Sequence, residues 1–214
     1  MRKLILASVS VLAILTATSE SGATTYNYSG SLATYIVPET GTYDLTAAGA
    51  QGGGGVFSKH AGGLGALMEG LFSFNAGDII QILVGGAGQL GLDAGGGGGG
   101  SFVATMANTP LLVAGGGGGA GLNEAGGYGW TQTKGMNGSS GGDGGTGGGG
   151  GGAAFCLVTP RSYCGANFSG GGGGGFSGSG SGAYLPAKGS NYRSGNPGAS
   201  FIAGGAGGTG NGLE

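Results

Sequence analysis

Charge is scarce in this chain: Lys and Arg number seven and Asp and Glu nine among 214 residues. So few cations cannot assemble the basic stripe that follows a phosphate backbone, so nucleic acid is not an expected partner. The acids are equally thin and scattered, a poor basis for the paired carboxylates of a glycosidase. Histidine occurs once, at His60 in "FSKHAGG", and nothing in the sequence ties it to a serine or carboxylate. Catalysis needs a nucleophile, a base and an orienting group, and the expected answer is no enzyme. Proline occurs five times and glycine is not strictly every third residue, which excludes collagen. Helical periodicity is missing after the N-terminal segment, and so is any later apolar run long enough to span a membrane.

What the chain has instead is glycine, 63 residues of it. Together with proline this reaches about a third of the sequence, a level at which disorder is the default. The scarcity of charge and a mean hydropathy of +0.17 oppose that reading. Chains that stay disordered for want of apolar surface are polar and strongly charged.

Residues 1–23 read as an export leader: Met1, Arg2 and Lys3 form a basic start, "LILASVSVLAILTA" an apolar middle, and "TSESGA" a small-residue end at Ala23. Cleavage after Ala17 is the other choice. Removing Arg2, Lys3 and Glu20 leaves five basic and eight acidic residues, a net of −3. No cofactor is expected. In an oxidising compartment Cys156 and Cys164 are expected to close "CLVTPRSYC" as a disulfide loop; a metal site would need two further soft ligands.

Residues 24–214 read as one glycine-rich domain. Strand signals fall at about 26–48, 66–84, 101–114 and 199–203. Pro38-Glu39-Thr40-Gly41 and Asn75-Ala76-Gly77-Asp78 are the expected turns between strands, and Pro110 marks another. Glycine-dominated stretches lie between, at about 51–65, 85–100, 115–152, 170–182 and 204–210. They are too long to serve as strand connectors, and a strand returning near residue 199 argues against a long slack excursion.

Glycine can instead adopt the polyproline II helix, with about three residues per turn, a rise of about 3.1 Å and no internal hydrogen bonds. Each N–H and C=O then points sideways to a neighbour. Ordering one backbone costs about 1–2 kcal/mol, whereas a hydrogen bond returns a net of about 0.5–1.5 kcal/mol. One such helix alone is therefore unstable. Several side by side can break even, because each residue donates, accepts and adds weak Cα–H contacts. The twelve residues 141–152 would extend about 37 Å at that rise. The expectation is a bundle, with large side chains forced to its edges and ends.

The ordered set "YIVPETGTYDLTAAGAQGG", "GLFSFNAGDIIQILVGGAGQ", "GGGGGGSFV", "PLLVAGGGGGAG" and "GGGGGGFSG…PGASFI" resembles the glycine-rich domain of anaplastic lymphoma kinase and leukocyte tyrosine kinase. Secreted bacterial proteins carry a similar module. The resemblance covers nearly all of residues 24–214. It implies an all-β fold, a tumour-necrosis-factor-like (TNF-like) β-sandwich with an inserted bundle of polyglycine II helices. The kinase and transmembrane parts of those receptors have no counterpart here, so their receptor function does not follow.

Some motifs tempt without holding. Gly86, Gly88 and Gly91 have GxGxxG spacing after "DIIQILV", but "LDAGGGGGG" follows where a dinucleotide site needs a helix. Asp93 and Asp143 sit among glycines without matching a calcium-binding repeat. More informative are the interruptions, where Tyr128, Trp130, Tyr184, Tyr192 and Arg193 belong to loops that either cap the bundle or contact a partner. The functional expectation is a secreted scaffold for adhesion, surface recognition or matrix structure, with a cell-surface protein or glycan, or another copy of itself, as partner. Ice binding, known for a protein built of polyglycine helices, filament assembly and, last, a surface-polymer hydrolase are the alternatives.

Overall fold

Tyr43, Leu45 and Ala47 are buried while the residues between them are half-buried, the two-residue alternation of a strand with one face on a core. The computed structural model describes residues 22–129, 149–152, 169–182 and 194–210, together with the backbone of 2–6. Its strands are β1 (Arg2–Leu6), β2 (Thr24–Tyr26), β3 (Ala33–Ile36), β4 (Gly41–Ala48), β5 (Leu67–Phe74), β6 (Ile79–Leu83), β7 (Ser101–Thr105) and β8 (Pro110–Ala114). One sheet runs β2-β1-β4-β5 and the other β3-β6-β7-β8. Pairing is antiparallel throughout, except that β1 runs parallel to both its neighbours.

Between the sheets lies a core of Val37, Tyr43, Leu45, Ala47, Ile80, Ile82, Val103 and Leu112. The fold is all-β, as the resemblance implies, and no α-helix is found among the described residues. β6 and β7 are buried on both faces. Ile80, Ile82 and Val103 face the inter-sheet core, while Leu83, Phe102 and Ala104 face a second cluster closed by Phe176 and Phe201.

Two connections differ from a simple hairpin. The Pro38–Gly41 and Asn75–Asp78 turns each carry the chain from one sheet to the other, so β3 pairs with β6 and β4 with β5. The two turns brace each other: Ala76 N–H donates to Thr40 Oγ1 (2.9 Å) and Val37 N–H to Asp78 O (2.8 Å). β7 and β8 do form a hairpin, but Pro110 begins β8 and the bend falls at Asn108, whose φ of 58° is left-handed. Residues 199–203, expected as a closing strand, contain a turn: Gly204 N–H donates to Phe201 O and Gly205 N–H to Ser200 O. Phe201 is buried and Ile202 is 79% exposed, and the turn rather than a strand sets their directions.

Beyond one end of the sandwich the glycine segments prolong the strands. Gly49 N–H to Ala66 O continues the β4/β5 register, Gly99 N–H to Gly86 O that of β6/β7, and Gly98 N–H to Gly117 O that of β7/β8. Packed sheets stand about 10 Å apart because side chains fill the gap, whereas hydrogen-bonded strands stand about 4.8 Å apart. Where glycine replaces those side chains, the extensions of the two sheets bond directly, with Ala50 N–H to Gly99 O (2.9 Å) and Gly117 N–H to Ala50 O (2.9 Å). Ser101 marks the changeover: its hydroxyl donates to Ala48 O (2.6 Å) and accepts from Gly85 N–H (3.0 Å).

Candidate functional site

The glycine array has a three-residue logic that no sheet has. Along 95–99, the N–H groups of Gly95 and Gly98 donate to Ala120 and Gly117, those of Gly96 and Gly99 to Gln89 and Gly86, and that of Gly97 to Asn196. Along 116–120, Gly116 and Gly119 donate to Gly174 and Gly171, Gly117 and Ala120 to Ala50 and Gly53, and Gly118 to Gly127. Segment 95–99 also accepts from three other segments, through Ala50 and Gly53, Gly171 and Gly174, and Gly208. Six backbones thus surround it.

This closeness depends on missing Cβ atoms. A Cβ on Gly95, Gly96, Gly97, Gly98 or Gly99 would strike a carbonyl oxygen of Gly53, Gly208, Gly172, Ala50 or Gly205 respectively. Backbone carbonyls cannot rotate aside, so these five positions admit no side chain, although the methyl groups of Ala50 and Ala120 are buried elsewhere in the array. Large residues in these tracts either face outward or, like Phe176, pack against the sheet.

The rim they form has two parts. In the turn at 55–60, Gly55 N–H donates to His60 O and Lys59 N–H to Gly55 O, with Lys59 held at a φ of 57°. Val56 and Phe57 are anchored through their N–H groups to Gly91 O and Leu92 O, so the turn lies beside Leu90. Phe57 is 67% exposed, and Val56 and Leu90 are exposed with it. In the second part, Gly126 and Gly129 donate to Ala61 O and Leu64 O, bringing Tyr128 to the flank of Leu64. Tyr128 is 60% exposed.

Of the expected contact residues, Tyr128 is therefore a rim residue; Trp130, Tyr184, Tyr192 and Arg193 lie outside the described residues, as do Cys156 and Cys164. Val56, Phe57, Leu64 and Leu90 were not singled out from the sequence. The rule that places Tyr128 outside a close-packed glycine array applies equally to them. Gly86, Gly88 and Gly91, the GxGxxG triplet, spend their N–H groups on Gly205, Gln51 and Gly54. Among the described residues no group of three or more His, Cys, Asp or Glu side chains is placed to hold a metal ion. Burial raises the pKa of the Tyr26 phenol, which packs at the edge of the inter-sheet core.

No protein-family model matches this chain, and no curated protein sequence matches it.

Proposed function

We propose that the protein is a secreted, non-enzymatic scaffold whose TNF-like sandwich carries a stiff bundle of polyglycine II helices and whose rim recognises an extracellular surface. The three-residue alternation of lateral hydrogen bonds carries this reading. It is the pattern expected of helices with three residues per turn, and it makes stiffness a property of the backbone. The glycine amides are engaged with one another, which leaves the outward side chains as the source of specificity.

Clustered apolar and aromatic residues on a rigid support are suited to contact, because little conformational entropy is lost when they are covered. A variant carrying Val56→Ser, Phe57→Ser, Leu90→Ser and Tyr128→Ser is expected to keep its melting temperature within a few degrees, since exposed substitutions usually cost within about 0.5 kcal/mol each. Attachment to cell-surface protein or glycan should fall at least about tenfold, or about 1.4 kcal/mol. Unchanged attachment in a surface-binding assay would remove the recognition role.

Self-assembly is the second reading, favoured by β5. This edge strand is eight residues long and exposes Leu67 and Leu71 with only Glu69 between them on that face. Sedimentation of the rim variant separates the two readings, because assembly through β5 survives those substitutions.

A further inference from the structure

β1 sits between β2 and β4 and runs parallel to both. Leu4, Ile5 and Leu6 pair with Thr24, Thr25 and Tyr26 on one side, and Arg2 to Leu6 pair with Tyr43 to Ala47 on the other. These same residues belong to the segment the sequence marks as an export leader. If the leader is removed, the sheet loses an interior strand. The edge of β4 over Tyr43–Ala47 and the edge of β2 then face each other across one strand's width. β2 pairs over only three residues, whereas the β4 edge offers five, so closure by β2 leaves part of that edge unpaired.

We propose that the processed protein presents this gap as a strand-acceptor slot for an extended, mainly apolar peptide with a basic residue in the row of Asp44, running parallel to β4. The proposal rests on the scaffold's being exported and its leader removed. Backbone pairing supplies the attachment, as in other strand-addition recognition. The register supplies the preference. Rows shared with Leu45 and Ala47 belong to the buried face, and β1 places Leu4 and Leu6 there. The row of Asp44 lies on the opposite face, where Glu69 also stands opposite Thr46, and β1 places Lys3 in Asp44's row. A carboxylate in that row favours a basic residue in the incoming strand.

The probe is a fluorescent synthetic peptide, Met-Arg-Lys-Leu-Ile-Leu-Ala-Ser, added to the protein recovered after export and to full-length chain whose leader is retained. The processed protein should bind it saturably, one to one. The full-length chain should bind at least about tenfold more weakly, because its own β1 fills the slot. The amides of this edge that point away from β5, alternate residues within Tyr43–Ala47, should gain hydrogen-exchange protection on binding. Peptides in which proline replaces the first leucine, or glutamate the lysine, should bind more weakly. A processed chain that is unfolded alone and refolds with the peptide supports the slot equally.

Four results overturn it: equal binding by both forms, a processed chain that neither folds nor is rescued, protection without peptide of the Tyr43–Ala47 amides that point away from β5, because β2 or a second copy already closes the gap, or an exported protein that still begins at Met1. The last would leave the recognition role of the rim untouched. Conversely, a failure of the rim variant test leaves peptide capture standing.

Discussion

Alanine substitutions through Gly115–Gly119 will divide into two classes although the five residues are identical and adjacent. A Cβ on Gly116, Gly117 or Gly119 strikes the carbonyl oxygen of Gly98, Gly63 or Gly95. A Cβ on Gly115 has only Gly174 O, 3.9 Å away, and one on Gly118 meets Gly127 and Gly171 no closer than 3.4 Å. The tolerant positions are three apart, the period of the hydrogen bonds. Overpacking costs about 1–3 kcal/mol per site, and here the obstruction is backbone. With about 2–4 °C of melting temperature lost per kcal/mol for a domain of this size, each of the three should lower it by about 2–12 °C. Gly115→Ala and Gly118→Ala should be neutral or stabilising by up to about 1 kcal/mol through the unfolded chain. The three costly changes combined approach the total stability of a domain, about 5–15 kcal/mol. Thermal melts of the five single variants check this; five equal shifts would describe a slack linker.

Phe102→Ala should be as damaging by a different route. The ring is fully buried and packs edge-on against Phe176 at 5.5 Å and Phe201 at 5.9 Å, and those two stack at 4.9 Å. Phe102 belongs to β7, while its partners come from glycine-rich segments, so this trio ties the outer face of the sheet to the array. Removing it should cost about 3–5 kcal/mol, a fall in melting temperature of about 6–20 °C. The amides of Ala203, Gly204 and Gly205, bonded within the Ser200–Phe201 turn, should lose protection first. Calorimetry with residue-resolved exchange measures both effects. A loss below about 1 kcal/mol would mean that the cluster is ornamental, since even a typical single substitution costs that much.

The strands were readable because they obey a two-residue rule that composition enforces. "TYDLTA" alternates, and "IIQIL" is apolar enough for burial on both faces. Its one polar residue, Gln81, is satisfied by Thr105 O and Asn108 Oδ1. Which strand joins which sheet was not readable, since a turn such as Pro38–Gly41 suits either a hairpin or a crossing and the choice is made by the opposite sheet. Ala199–Ala203 has strand composition, yet Gly204 and Gly205 at φ of 85° and 64° belong to a turn, and Phe201 is held by Phe102 and Phe176. Such contacts come from residues about 25 and 100 positions away, beyond any local pattern. One residue of the candidate site was legible: Tyr128 stands out as an aromatic among glycines, whereas Val56, Phe57, Leu64 and Leu90 resemble ordinary core residues until their glycine flanks are weighed.

The account rests most heavily on amides of separate glycine segments holding one another. Residue-resolved hydrogen exchange over Gly95–Gly99 and Gly116–Ala120 tests it directly. Protection at least about a thousandfold over free peptide is predicted, because these amides should open only with about 4 kcal/mol or more. Exchange at the free-peptide rate across both segments, with the β6 and β7 amides still protected, would contradict it.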